Sequence, residues 1–469
     1  MHAFLLAAVV LATPTPIPAA TPQTMPYPAY GTPAPGAATL RAQEGVPTSI
    51  TLAQAIAIAA ARSPVLAIAR SDYRLTQLST DLARTGLYPN LAGTASITRS
   101  FGNRGASGGS GTGTIGGSGG VTSEGLNATL RQFILDGGKV INEIRQAQSN
   151  QLAGAGTYQR ALQTLAFNVA QAYYNALQAQ TATQLAVQVV HQNVVQENLV
   201  TAQLRAGTAS RVDLATAQLP TAQARVALVR AQGNELSALA AFANQLGLDA
   251  STLVTPINDT PSNPAASLLP PQELDYDKAV ARALLERPDF LSAQYAVRSA
   301  QYNVRAQRAG LIPTLTGNAS YGTNSTTVNG TDFRTSGSAG VTLSIPIFDQ
   351  GVTRVQIAQA QTQLDIAASQ LDETKIGVEL NVRQALVGLV SAEAAVGQSL
   401  AELSKAQEIL RATQAQYRAG VTTLPLLLNA QVGLTQAESD ELNAVYSLRQ
   451  AEQTYLFALG ENELGAASL

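Results

Sequence analysis

The chain of 469 residues has no cysteine, no tryptophan and only two histidines. Disulfide frameworks, thiolate zinc sites and Cys- or Ser/His-type nucleophiles therefore have almost nothing to be built from. Charge is also scarce: Asp, Glu, Lys and Arg make up 13% of the residues, and the formal net charge is −2. With no basic patch and no run of like charge, the composition argues against nucleic acid as a partner. The acidic residues stand singly, without the facing pair that acid–base chemistry uses, so the sequence predicts no enzyme, no cofactor and no bound metal. His191, alone on a long helical run, reads as a solvated neighbour of a packing seam and not as a ligand.

What is present begins with "MHAFLLAAVVLATPTPIPAATPQT". An apolar core from Phe4 to Leu11, followed by small residues suited to cleavage near Ala19 or Ala20, reads as a secretory signal over residues 1–20, although no Lys or Arg precedes the core. The run is too short to span a bilayer as a helix. No cysteine follows it, which argues against an acylated lipoprotein terminus. Residues 21–47 are dense in Pro, Ala and Thr, a composition that builds no core.

The sequence then repeats itself. Thr51 to Leu91 aligns without a gap to Asp275 to Leu315, with Pro64 and Pro288, Gly86 and Gly310, and Pro89 and Pro313 all 224 positions apart. Further on, "FILDGG" (Phe133 to Gly138) matches "PIFDQG" (Pro346 to Gly351), and "LRAGT" (Leu204 to Thr208) matches "YRAGV" (Tyr417 to Val421), now 213 positions apart. The offset shortens once, where the first copy carries the longer stretch "FGNRGASGGSGTGTIGGSGG". A Gly/Ser-rich loop tip absorbs such an insertion without disturbing its flanks.

Each copy reads as helix, two strands, long helix, turn and shorter helix. The first copy spans 48–254, with strands near 91–101 and 121–134, a long helix over 137–204 and a returning helix over 211–247. The second spans 275–462, with strands near 314–322 and 338–347, a long helix over 351–416 and a returning helix over 424–460. A Pro- and Ser-rich linker, 255–274, joins them, and 463–469 form a tail. Thr51 with Gln54, and Asp275, are suited to capping the first helix of each copy, which Pro64 or Pro288 breaks or kinks. The strand runs alternate apolar with polar residues, most clearly at Val341, Leu343, Ile345 and Ile347. Asp136 and Asp349 read as caps of the long helices, and Ser210 and Thr423 as caps of the returning ones, where Pro425 falls in the first turn and Pro220 is expected to kink the helix body. The long helices carry an Ala-rich seam at three-four spacing, with Gln and charge recurring elsewhere, so neither reads as a membrane span.

Four amphipathic strands are too few to close a barrel, which takes about eight. In lipid, an open sheet leaves unsatisfied edge groups at a cost of several kcal/mol each, so the chain is expected to finish its sheet with further copies of itself. The alternative is a periplasmic coiled-coil scaffold in which the alternating runs are surface hairpins.

The ordered, duplicated set of "G-x-x-P-x-L", strand pair, "F-D-x-G", long helix, "Y/L-R-A-G-x" and a closing "L-G" resembles the TolC-like outer membrane efflux proteins across roughly 48–462. The resemblance implies an α+β membrane protein: a homotrimer with a 12-stranded β-barrel in the bacterial outer membrane, continued by an α-helical periplasmic tunnel. It implies a passive exit duct of a tripartite efflux pump or type I secretion system, with a periplasmic adaptor and, through it, an inner-membrane transporter as partners. It places adaptor docking at the turns, on Arg205, Gly207 and Thr208 and on Arg418, Gly420 and Val421. It also implies aperture gating near Asp213, which matches an acidic position after the first turn, and Tyr417, which matches a tyrosine before the second. Leu426 and Asn429 stand where the family's type member carries an aspartate pair.

Overall fold

A computed structural model describes residues 47–100, 121–258, 275–327 and 333–461, all within one compact unit, Leu40–Leu469. The expected signal, nearly all of the Pro-rich segment, the Gly/Ser-rich insertion, most of the linker and the tail lie outside the described residues. The first copy comprises β1 (Ser49–Ile50), α1 (Leu52–Arg62), α2 (Pro64–Thr85), β2 (Asn90–Ser100), β3 (Val121–Leu135), α3 (Lys139–Arg205), α4 (Arg211–Gln245) and β4 (Thr255–Pro256). The second comprises α5 (Tyr276–Glu286), α6 (Pro288–Arg308), β5 (Thr314–Thr327), β6 (Phe333–Ser344), α7 (Val352–Arg418) and α8 (Leu424–Leu459).

Local chemistry sets these boundaries. Thr51 caps α1 through a reciprocal pair with Gln54. Ser63 is extended, as a residue before proline must be, and Pro64 opens α2 after a bend of 55°. The long helices α3 and α7 have 67 residues each, about 100 Å at the usual rise. Their caps differ from the expected form: the N-cap positions are Gly138 and Gly351, at φ 82° and 86°. The aspartates act from two residues upstream, Asp136 accepting from the Gly138 and Val140 amides at 2.9 and 2.6 Å. Asp349 does the same for Gly351 and Thr353, at 3.0 and 2.8 Å, and these hydrogen bonds hold its carboxyl below the usual carboxylate range. Ser210 caps α4, but Thr423 makes no side-chain cap bond on α8. Helix α4 runs on through Pro220.

Helix α3 packs along α2 and α4 and also along α6 and α8, while α7 packs on α6 and α8. The helices thus follow one another in a layer, α2/α4, α3, α6/α8, α7, leaving α2/α4 and α7 as its margins. A core around Tyr173, Phe242 and Leu246 fills the first copy, and one around Val382, Leu389 and Tyr455 fills the second. A charged clasp joins the copies at the end of α8. Arg160 of α3 lies 3.8 Å over the Phe457 ring and donates to the Phe457 carbonyl, while Arg287 grips Asp289 and donates to the Ala458 carbonyl. Burial lowers the Arg160 pKa to about 10, with Asp289 opposing the shift.

Two corrections concern the strands and the linker. Residues 255–258 are not a free link: β4 pairs in parallel with β1, and the Tyr173 hydroxyl donates to the Ile257 carbonyl. The strand expected near 338–347 is instead Phe333–Ser344, because Pro346 has no N–H for the ladder. Its neighbour β5 reaches Thr327, well past the expected 322.

Candidate functional site

The four long strands form one antiparallel sheet in the order β2-β3-β5-β6, so each copy supplies one hairpin and one edge. Register puts like with like. Leu91 faces Leu130, Ala128 faces Tyr321 and Leu315 faces Leu343, all on one side of the pleat. That side is apolar and open, with Leu91, Ile97, Tyr321 and Val341 each more than 60% exposed. The opposite side is polar: Ser320 and Ser338 share a hydrogen bond at 2.8 Å, and the Thr94 hydroxyl donates to the Asn127 carbonyl. A sheet with one greasy and one wettable face and two bare edges matches the wall of a transmembrane barrel.

The same incompleteness marks the helices. On α2, Ile68, Leu75 and Leu82 recur every seventh residue and are exposed, and so do Val212, Leu219 and Val226 on α4. By length and composition α7 passes as a helix apolar enough to cross a bilayer, as does the bent pair α1–α2. Two seams account for the apolar character of α7. Val382, Leu389 and Val396 are buried with Leu448 and Tyr455 of α8, whereas Ile376, Leu380 and Val387 lie exposed.

The two RAG turns come together at the far end of the hairpins from the sheet. In each, a glycine closes the helix from the left-handed region: Gly207 has a φ of 76° and Gly420 a φ of 69°. Thr208 and Val421 donate back to the Gln203 and Gln416 carbonyls, both at 2.9 Å. A Cβ on either glycine would meet nothing within 4 Å, so the turns face open space. Arg205, Thr208, Arg418 and Val421 are exposed around them. The tips are tied by the Tyr417 hydroxyl, which donates to Gln203 Oε1 at 3.2 Å, and by a small core of Val200, Ala217, Leu424 and Leu428. Gln203 is a partner that sequence reasoning missed, since one glutamine among many carries no local signal.

Of the residues expected near an aperture, Tyr417 joins the two copies, while Asp213 serves its own helix. Its carboxylate accepts from the Ser210 hydroxyl and amide, which lowers its pKa. Leu426 and Asn429 lie exposed on the first turns of α8.

The family model described as outer membrane efflux protein matches residues 55–248 and 279–461. The outer membrane efflux protein BepC of Brucella suis is 28% identical over 412 residues, covering 86% of this chain and 85% of that one. The protein CyaE of Bordetella pertussis is 28% identical over 419 residues, covering 88% and 84%. Among solved structures, the CmeC outer membrane channel of Campylobacter jejuni superposes with a TM-score of 0.74 at 18% identity over 87% of this chain and 85% of that one, a likeness of fold. Half-apolar strands carried on helices far longer than any globular core define a subunit of a membrane-seated channel. The matched stretches identify which kind: the chain belongs to the outer membrane efflux protein family. It is an outer-membrane export duct with a helical periplasmic part, and its work is conduction, not catalysis.

Proposed function

We propose that three copies of this chain close head to tail into a 12-stranded barrel in outer-membrane lipid and an α-helical tunnel beneath it. The observation that carries this reading is that one chain leaves two kinds of margin open in the same sense. β2 and β6 are bare at the sheet edges, and apolar stripes on α2/α4 and on α7 are bare at the edges of the helix layer. A face that meets a different face on the next copy makes a heterologous contact, which closes into a ring when the rotation between copies divides the circle. Closing it satisfies the edge N–H and C=O groups that lipid would leave unpaired.

At the opposite end, the paired tips are the docking surface for a periplasmic adaptor, and through it for an inner-membrane transporter that supplies energy. Arg205, Gly207 and Thr208, with Arg418, Gly420 and Val421, present exposed side chains around two glycine turns, and no described residue of the chain covers them. Tyr417 and Asp213, beside Leu426 and Asn429, form the rim of the aperture, with the Tyr417–Gln203 bond as one restraint on its opening. The wider organisation follows: a cleaved signal over 1–20, two structural repeats and a linker between them. The experiment is the double substitution Gly207→Asp with Gly420→Asp, which places charge on both tips and strains both left-handed positions. Export is abolished while trimers still reach the outer membrane. Unchanged export removes the docking assignment.

A further inference from the structure

Where the end of α8 meets the start of α6, the helix layer is hollowed by a cavity of about 410 Å³, a size that suits a small organic molecule. Its walls come from α3, α7 and α8, with Arg287 from the bend before α6. No Asp or Glu lines it, whereas two arginines, Arg160 and Arg287, do.

The charges around the cavity do not balance. Arg287 grips Asp289 with two nitrogens, at 3.1 and 2.6 Å, and Arg160 Nε stands 3.7 Å from the same carboxylate. Two guanidiniums thus share one anion, and one positive charge is left over. The acids next along the chain are taken: Glu452 by Arg449 and Glu461 by Arg282. Burial, opposed by Asp289 and helped by the Arg287 charge, is what lowers the Arg160 pKa to about 10, as befits a cation short of a counter-ion. Hydrogen-bond donors are spare as well. Arg160 Nη1 serves Gln163 and the Phe457 carbonyl, but its Nη2 has no partner among the described residues, and neither have the side-chain amides of Asn381 and Gln384. Beside these donors the wall is flat and apolar. Phe167 and Phe457 stack at 4.6 Å, and Ala385, Gly388 and Ala451 put no side chain beyond Cβ into the space.

We infer that this cavity is a weak binding subsite for aryl carboxylates, the carboxylate held by Arg160 Nη2 with the amides of Asn381 and Gln384, and the ring lying against Phe167 and Phe457. A charge-assisted hydrogen bond to a guanidinium is the strongest contact on offer, and the spare positive charge selects an anion over a neutral molecule of the same shape.

The cavity opens on the bare face of the layer. Arg383 of α7 lies 3.7 Å over the Tyr276 ring of α5, and Asn381, two residues earlier, is about 200° away around the helix. No residue of α1, α5, β1 or β4 lines the cavity, so all of them sit on the other face. A narrow tunnel has room for added elements only outside its wall, which turns the bare face, and the cavity with it, toward the lumen. That placement rests on the closed ring proposed above; the binding itself needs only one chain. Inside a duct such a subsite works by being weak, favourable enough to enter and loose enough to leave.

The test is a titration of full-length protein in detergent with para-(trifluoromethyl)benzoate and, separately, with the neutral para-(trifluoromethyl)benzamide, read by fluorine NMR against a protein-free detergent blank. The benzoate binds saturably and about tenfold more tightly than the benzamide, the share of one hydrogen bond to a charged group. Gln384→Glu, nearly isosteric and on an exposed position of α7, puts a carboxylate where a donor stood and removes the preference for the benzoate. Gly388→Leu fills the cavity from a position where a Cβ meets nothing within 4 Å, and abolishes binding of both probes. Neither residue belongs to the charged clasp, and an unchanged thermal unfolding curve shows that both variants are folded. No saturable binding, equal binding of the two probes, or benzoate binding that both substitutions leave unchanged overturns the subsite. Native mass spectrometry of the same samples separates this from the ring: trimers that fail to bind count against the subsite alone, and selective binding by protein that forms no trimer upholds the subsite and overturns the ring.

Discussion

Arg449 and Glu452 are each 1% exposed, three residues apart on α8, with the guanidinium donating to both carboxylate oxygens at 3.2 and 2.9 Å. Nε and Nη2 of the arginine find no partner among the described residues. An ion pair so deeply buried is held by its partner more than it stabilises the fold, because desolvation offsets most of the attraction. At the corresponding positions of the first repeat, 213 residues earlier, stand Leu236 and Leu239, so the backbone there accepts leucine. Glu452→Leu alone leaves an uncompensated cation in the core and costs about 3–5 kcal/mol. The double change Arg449→Leu with Glu452→Leu recovers most of that. Loss of the helical circular dichroism signal on heating, compared across the three proteins in detergent, checks it; a double variant no better than the single one refutes the account. The i, i+3 spacing of this pair is visible in the sequence, but its burial is not, which is why the acidic residues read there as scattered and single.

Among elements, the strands divide sharply by face, and the division sets the next expectation. Val341 lies on the apolar side of β6, 63% exposed, and Thr342 on the polar side. Lysine on the lipid face of a barrel near the midplane costs about 2–4 kcal/mol, and on the lumen face little. Val341→Lys therefore lowers the amount of assembled protein in the outer membrane severalfold, while Thr342→Lys leaves it near the parent level; equal losses from both would remove the lipid-facing assignment. Helices and strands differ in how far they can be read in advance. A helix end bears local chemistry: Ser210 with Asp213 caps α4, and Gly207 and Gly420 stop α3 and α7. The far ends of the strands carry no comparable mark, since Gly, Thr, Asn and Ser fill β5 beyond Tyr321 and its ladder partners alone carry it to Thr327. The pairing of β4 with β1 joins distant parts of the chain through two residues each, too short for any periodicity. The cap at Thr423 failed for a different reason, because a suitable residue type does not ensure that its hydroxyl turns toward the helix.

At the scale of the whole molecule, the two repeats do unequal work. The α3–α8 contact within a chain carries hydrogen bonds between side chains, among them Gln178 with Asn443 and Gln450 with Asn175. Ser391 and Arg230, and Ser237 and Gly388, stand at the corresponding positions of the other repeat, 213 residues away, so these polar pairs have no counterpart there. If the chain closes into the ring proposed for it, one duct and one circle of tips are shared among the members, and a fault in one copy is a fault in the whole. The tip variant Gly207→Asp with Gly420→Asp keeps both margins intact and so enters mixed rings with wild-type chains. Co-expressed with wild type at equal level, it lowers export well below half, because rings containing any faulty copy dock poorly. Export per cell, measured against the ratio of the two chains in purified outer membranes, reads this directly. A decline in simple proportion to the wild-type share would mean that copies act singly, and would count against both the closed ring and the shared docking surface at its tips.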